Sequence, residues 1–387
     1  MPDEVTAETK IYTSKGGETH SLRDLLSYFQ RKGTMRVSDL HIKVGVPPLY
    51  RIDGNLRPLD GPPLDVETSG KFIACLLSDT ERERLAERGS AETSFDIEGL
   101  QFRVSCFRDN DGPCAAIRAL DSAPPPVEQI GFPNNVWQDI VSAQQGLVLV
   151  TGITGAGKST TIASLICRIA EQRACRIITL EDPIEYRLQS RKGIISQREV
   201  GRDVRSFKEG LRDALREDPD VIFVGEMRDR DSTSWTLTAA ETGHLVFSTL
   251  HTRDTRGTLT RLLDMFPPNR QDEVASQVSL GLRSILCQKL VPRADGAGRV
   301  VAMEILNNTY SVANLIRLMK MEQIYTQLQT RTRDTSTERM ISLEQSLARL
   351  VATGVITPLE AERWANDRNA FQDAMQTVQQ AMQAQQG

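Results

Sequence analysis

Two hydrophobic periods divide the chain. Between residues 39 and 105 apolar and polar positions alternate in short runs: Leu40-His41-Ile42-Lys43-Val44, Leu49-Tyr50-Arg51-Ile52 and Gln101-Phe102-Arg103-Val104-Ser105. Alternation with period two predicts antiparallel strands with one solvated face, and Asp53-Gly54 predicts a hairpin turn. Leu22, Leu25, Leu26 and Phe29 carry helical spacing ahead of them. Residues 21–120 are therefore expected to form a small α+β domain. The polar stretch 1–20 is expected to be a flexible tail. Asp121-Ser122-Ala123-Pro124-Pro125-Pro126 opens a stiff, extended linker over 121–136.

From residue 137 the texture changes. The runs Gly146–Thr151, 176–180, Val221–Val224 and 245–249 are apolar almost throughout and are separated by helical stretches. Strands that lack alternation are buried on both faces, so 137–305 is expected to hold a parallel sheet covered by helices, an α/β fold. After about residue 306 the strand pattern stops. Segments 312–318, 342–353 and 358–365 read as helices of a C-terminal subdomain spanning 306–371, followed by a Gln-rich tail at 372–387.

The run 146–151 leads into Gly152-Ile153-Thr154-Gly155-Ala156-Gly157-Lys158-Ser159, the GxxxxGKS spacing of a phosphate-binding loop. Glycines are needed because backbone N–H groups must converge on phosphate oxygens, at angles and distances that a Cβ would block. Ile162, Leu165, Ile166 and Ile169 then mark a helix whose N-terminus faces the anion. Bound ATP would meet Gly152, Thr154, Gly155, Gly157, Lys158, Ser159 and Thr160, with Lys158 on the β- and γ-phosphates and Ser159 on Mg2+.

Three more clusters follow strand-like runs, where open α/β sheets bind ligands. They are Glu181-Asp182-Pro183-Ile184-Glu185, Gly225-Glu226-Met227-Arg228-Asp229 and the run from Gly243-His244 to His251-Thr252. Phosphoryl transfer to water needs a placed nucleophile and charge neutralisation. Glu226 is the candidate for orienting that water. Glu181, ahead of Asp182, is the candidate for holding Mg2+ directly or through water. His244 and His251 admit two readings, as γ-phosphate sensors or metal ligands, or as hydrogen-bonded core residues.

Composition narrows the partners. With 387 residues, 39% of them hydrophobic, the chain can fill two or three domain cores. Its 47 basic and 51 acidic side chains leave a formal charge of −4, so nucleic acid is not an expected partner. Six cysteines without a CxxC pair argue against a zinc ribbon and for reduced thiols in a cytosolic chain. No apolar run approaches the roughly 20 residues of a membrane span, and Met1-Pro2-Asp3-Glu4 does not read as a signal peptide. Direct membrane insertion is not expected, and any membrane association would come through a partner.

Taken together, the phosphate loop, the 181–185 box, the 225–229 box and the two-histidine box resemble those of the secretion and type IV pilus ATPases. The fit is best to the PilT-like retraction ATPases, over residues 36–371. Ser38-Asp39-Leu40-His41-Ile42, Gly45-Val46-Pro47-Pro48, Arg51-Ile52-Asp53-Gly54 and 215–220 support it. The resemblance implies a RecA-like P-loop ATPase domain, a smaller N-terminal PAS-like domain, C-terminal helices and a homohexameric ring. It implies ATP hydrolysis driving pilus disassembly at the cytoplasmic face of the inner membrane. The implied partners are further copies of the chain, an inner-membrane pilus platform protein and a paralogous PilT/PilU-type ATPase.

In that family arginines of the N-terminal domain complete the nucleotide site, and Arg103 and Arg118 match them. Asp111-Gly112 stands where many relatives have arginine before glycine, with Arg108 as a substitute. Residues 311–318 depart from the family's AIRNLIRE segment: Asn314 to Arg317 are kept, but Ala313 replaces an arginine and Leu318 a glutamate. That change bears on retraction rather than hydrolysis. Two other readings are an accessory ring subunit assisting a paralogous motor and an assembly or secretion ATPase. The latter usually carries a four-cysteine zinc element that this chain lacks.

Overall fold

The computed structural model describes residues 5–30, 37–52, 55–97, 100–120, 123–331 and 339–386. The expected Asp53-Gly54 turn, Asp121 and Ser122 lie outside these residues. Contacts divide the chain into two compact units, Met1–Ala123 with Pro183–Arg187, and Pro124–Asp182 with Leu188–Gly387.

In the first unit the strands are β1 (Tyr12–Thr13), β2 (Thr19–His20), β3 (Val37–Ile42), β4 (Leu49–Ile52), β5 (Asn55–Pro58), β6 (Ser90–Ile97), β7 (Leu100–Arg108) and β8 (Pro113–Leu120). Helices α1 (Leu22–Ser27), α2 (Val66–Leu76) and α3 (Asp79–Arg88) accompany them. Six strands form one antiparallel sheet in the order β5-β4-β3-β8-β7-β6. The alternation assigns its faces. Leu40, Ile42, Tyr50, Ile52, Phe102, Val104 and Ile117 enter a core with Leu22, Leu26, Phe72 and Leu76 from the helices. Asp39, Arg51, Arg103 and Arg118 therefore take the opposite face.

The expected tail at 1–20 is corrected over residues 12–20. Tyr12 pairs with His20 in an antiparallel hairpin, its ring joins the core, and its hydroxyl donates to Pro62 O at 2.8 Å. One large aromatic in a polar segment supplies enough buried area to hold it.

In the second unit the strands are β9 (Gly146–Thr151), β10 (Arg176–Glu181), β11 (Ile194–Glu199), β12 (Val221–Val224), β13 (Leu245–Leu250), β14 (Leu282–Pro292) and β15 (Arg299–Asn307). They form one sheet in the order β11-β10-β12-β13-β9-β14-β15, parallel except for the antiparallel β14–β15 pair. The helices are α4 (Val136–Ser142), α5 (Lys158–Gln172), α6 (Phe207–Ala214), α7 (Arg230–Glu241), α8 (Thr255–Asp264), α9 (Pro268–Gly281), α10 (Tyr310–Arg317), α11 (Glu322–Arg331), α12 (Leu343–Ala352), α13 (Pro358–Trp364) and α14 (Arg368–Gln386). None of the described helices is long and apolar enough to cross a membrane.

Two boundaries differ from expectation. Residues 124–136 do not run as a free linker: Val127 is buried in the sheet core and Pro125 O accepts from the Ser164 hydroxyl at 2.7 Å. Nor do the C-terminal helices form one subdomain. Val312, Ile316, Ile324 and Leu328 of α10 and α11 share a core with α7–α9, whereas α12–α14 close around Val291 and Ala302 of the β14–β15 hairpin. The Gln-rich tail continues α14, whose Phe371 and Ala374 are buried. By register Ile285 and Leu306 share a face of the hairpin with Val291 and Ala302, so the two helix groups cover opposite ends of that one face.

A buried carboxyl links these layers. Glu304 on β15 accepts the Thr255 N–H, at the start of α8, at 2.7 Å, and its other oxygen has no hydrogen-bond partner among the described residues. Burial pushes the carboxyl up from 4.5 to about 7; the Thr255 bond opposes this and the nearby Glu344 and Asp254 charges add to it. Because the folded pKa is raised, stability from this group is fully present below pH 4.5 and is lost as pH rises through about 7. Glu304→Gln, which cannot ionise, is expected to melt with wild type at pH 5 and several degrees above it at pH 8, at roughly 2–4 °C per kcal/mol. Thermal melts across that range check this; parallel profiles would refute it.

A candidate nucleotide site at the carboxyl ends of the parallel strands

Strands β9, β10, β12 and β13 run the same way, so their last residues share one edge of the sheet. Past that edge come Gly152, Asp182, Gly225-Glu226 and His251. Cross-strand bonds pin these ends together. Gly225 N–H donates to Leu180 O at 2.8 Å and Met227 N–H to Thr249 O at 3.2 Å. The hydroxyls of Ser248 and Thr249 donate to Val224 O and Gly225 O at 2.8 and 2.7 Å.

The phosphate loop joins the fully buried β9 to α5. Gly152 has φ 144° and Gly157, at the α5 N-cap, φ 84°. A Cβ at Gly152 would lie 2.5 Å from Gln288 O, and one at Gly157 3.2 Å from Gln288 Nε2. Thr154 and Gly155 stay exposed while Ala156 is buried, so the loop presents its outer backbone. Gln288 on β14 braces it from beneath: its amide donates to Ala156 O at 2.6 Å and its carbonyl accepts from the Thr161 hydroxyl at 3.0 Å. Sequence reasoning missed Gln288. Its signal was an amide inside the apolar run 285–291, where an unpaired polar group would be costly.

Lys158 is buried, and its ammonium donates to Gly152 O at 2.9 Å and Ile153 O at 3.2 Å. It lies 3.5 Å from His251 Nδ1, and His251 Nε2 lies 3.2 Å from Glu226 Oε2. Glu226 also pairs with Arg228, which reaches Asp182 at 3.2 Å. The pKa of His251 is lowered by burial first, then by the Lys158 and Arg228 charges. A neutral ring with its proton on Nε2 donates to the Glu226 carboxylate and offers Nδ1 to the Lys158 ammonium; this tautomer is assigned from its partners. The structure thus joins Lys158, His251, Glu226, Arg228 and Asp182 in one polar chain.

Ser159 and Thr160 sit partly exposed in the first turn of α5. Glu181, buried at the end of β10, accepts from the Thr179 hydroxyl at 2.6 Å and the Gln197 amide at 3.1 Å. Among the described residues no group of three or more His, Cys, Asp or Glu could hold a metal alone. A cation here would share ligands with phosphate oxygens, the usual habit of Mg2+, and Ser159 and Glu181 fit that need.

His244 does not join the chain, and of its two readings its position fits that of a hydrogen-bonded structural residue. It precedes β13, and its carbonyl accepts from Gly146, the first residue of β9, at 3.0 Å. A six-residue strand, roughly 20 Å, separates it from the loop edge. Its Nδ1 instead meets Ala239 O at 3.0 Å and the Thr242 hydroxyl at 3.1 Å, closing the end of α7. Arg317 lies exposed in the last turn of α10, bonded to Asn314 Oδ1 at 2.9 Å. Arg103 and Arg118 belong to the first unit, where Arg118 Nε donates to Asp39 at 2.7 Å and Arg103 meets Glu92 at 3.4 Å.

The parallel sheet, the glycine loop and the carboxylates at its strand ends define a RecA-like P-loop ATPase. The chain belongs to the family of type II/IV secretion system proteins, which matches residues 33–386. It is 40% identical over 337 residues to the type IV pilus retraction ATPase PilT of Pseudomonas aeruginosa, covering 87% of this chain and 95% of that one. It is 34% identical over 333 residues to the type IV pilus ATPase PilU of the same organism, covering 86% of each. The crystal structure of the pilus retraction motor PilT with bound ADP superposes with a TM-score of 0.80 at 40% identity, covering 89% of this chain and 98% of that one.

The Gln288 brace makes a testable statement. Gln288→Ala leaves Ala156 O and the Thr161 hydroxyl without their partner and opens a gap under the loop. Nucleotide affinity is expected to fall about tenfold, the equivalent of roughly 1.4 kcal/mol, in line with one or two lost buried hydrogen bonds. Titration with a fluorescent nucleotide reads this out, and wild-type affinity would show that the loop holds its shape unaided.

Proposed function

We propose that the protein is a Mg-ATP-hydrolysing motor that works as a homohexameric ring at the cytoplasmic face of the inner membrane and drives retraction of type IV pili. The observation that carries this reading is the polar chain from Lys158 through His251 to Glu226 beside the phosphate loop. The 40% identity with PilT over nearly the full length of both chains supports the biological role. An inner-membrane pilus platform protein would take the load, and a PilU-like paralogue is a candidate second motor.

The chemistry follows from the residues. Lys158 exchanges two loop carbonyls for the β- and γ-phosphates, and the backbone N–H groups of 152–160 surround the same oxygens. Mg2+, held by Ser159 and Glu181, would supply charge neutralisation on the phosphates. Glu226 orients and polarises the attacking water. Neutral His251 holds the Glu226 carboxylate and faces Lys158, so it registers whether the lysine has moved to phosphate. Arg103 and Arg118 supply positive charge to the nucleotide of an adjacent subunit.

A second reading, an accessory ring subunit that assists a paralogous motor, is favoured by the 311–318 region. Tyr310 is 87% exposed and Leu318 52% exposed, an apolar surface at the segment where the family pattern changes. The two readings separate on turnover. Mg-ATPase activity of size-fractionated protein is expected in the hexamer-sized fraction, with Glu226→Gln and Arg118→Ala each lowering kcat by about 100-fold or more while nucleotide still binds. A wild-type ring that binds ATP without turning it over would favour the accessory role.

A further inference from the structure

In the first unit, strands β4, β3, β8 and β7 are consecutive neighbours, and their register sets four charged residues in one line. Arg51 is opposite Asp39, Asp39 opposite Arg118, and Arg118 opposite Arg103. Directly opposed residues share a face with Cβ atoms about 4.5–5.5 Å apart. Three guanidinium groups therefore share a line with the Asp39 carboxylate, Arg103 also meeting Glu92 at 3.4 Å from the next strand, and the directly opposed like charges of Arg118 and Arg103 favour an anion between them. His41 follows Asp39 on the same face. Burial, then Arg51 and Arg118, lower its pKa against the opposing pull of Asp39, so the positive charge of the face rests on the arginines.

Asp39 is only 5% exposed. One of its oxygens accepts Arg118 Nε at 2.7 Å; the other accepts the Ser38 hydroxyl at 2.8 Å and faces Arg51 Nε at 3.6 Å. Arg118 is hydrogen-bonded at Nε, and Arg51 is ion-paired at Nε. The terminal amino groups of Arg118 have no hydrogen-bond partner among the described residues, and its side chain is 65% exposed. A guanidinium held at Nε with its outer edge open is preorganised for an oxyanion.

We infer that Asp39 is a positioning residue: it aligns Arg51 and Arg118, beside Arg103, as a row that receives phosphate oxygens of a nucleotide held by a second copy of the chain. The inference rests on the shared-site reading above and extends it in two ways. It adds Arg51 to the row and assigns the alignment to a carboxylate that never touches nucleotide. Asp39→Asn keeps the shape and loses the charge that pairs with both Nε atoms.

The test is a double-mutant cycle on assembled hexamer, measuring kcat and KM for Mg-ATP with Arg118→Ala, Asp39→Asn and the pair. Asp39→Asn is expected to lower kcat about tenfold, as for residues that orient a functional group, with KM changed much less. It should cost less in the Arg118→Ala background than in wild type, because only the alignment of Arg51 is then left to lose. Rings mixed from Asp39→Asn and Glu226→Gln subunits should regain turnover, because each supplies what its neighbour lacks. If Arg118→Ala turns over like wild type, the shared-site reading falls and takes this inference with it. If Arg118→Ala is impaired but Asp39→Asn is not, or the two losses multiply, only the role of Asp39 is overturned. Should Asp39→Asn fail to assemble, Ser38→Ala removes a single hydrogen bond to the same carboxylate. A several-fold drop in its kcat supports the inference, and wild-type kcat overturns it.

Discussion

Leu180 pairs with Val224, Val224 with Ser248, Ser248 with Leu149, and Leu149 with Ile285. This row across five parallel-running strands decides where every strand stops, and so which residues meet beyond the edge. A slip of one residue in any pair would move a strand end by about 3.3 Å and turn its side chains to the other face. Glu226, His251 and Lys158 come from segments far apart in sequence, and only this register lines them up. The hydroxyls of Ser248 and Thr249, spent on carbonyls of the neighbouring strand, lock it where the site begins.

Around that edge the protein sets charged groups against one another and against backbone carbonyls. Lys158 is buried, and its ammonium donates to two loop carbonyls beside the neutral His251 imidazole. Those partners are easily exchanged for phosphate oxygens, which a tight ion pair would resist. Glu226 is matched by His251 and Arg228. The first unit applies the same economy to a different end. A single buried carboxylate, Asp39, pairs with two arginines at their inner nitrogens and leaves the outer ones of Arg118 open.

The parts legible in the sequence are those where a local pattern has a single physical solution. The runs Gly146–Thr151 and Val221–Val224 are strands with the bounds their apolar texture implied. The helix after the loop spans Lys158–Gln172, and the alternation at 40–52 and 101–105 assigned the faces of the first sheet. The β14–β15 hairpin was not legible, because a long apolar run does not distinguish strand from helix by period alone. The packed segment at 12–20 escaped because one aromatic carries its burial, and the 124–136 segment because proline-rich chain looks extended whether or not it is anchored.

Local chemistry by itself determined the nucleotide loop, the acidic residues after strands, the two domain types and the absence of a membrane-spanning run, since each is written in neighbouring residues. The tertiary structure decided which of these residues meet. His244 and His251 bracket one strand, and strand direction alone sends His251 to the phosphate edge and His244 to the opposite one. Gln288 reaches the loop, and Asp39 reaches Arg51 and Arg118, only through strand pairings that join distant segments. The physical reason is the same in each case: a backbone hydrogen-bond ladder sets register between segments, and register is not a property of either segment alone.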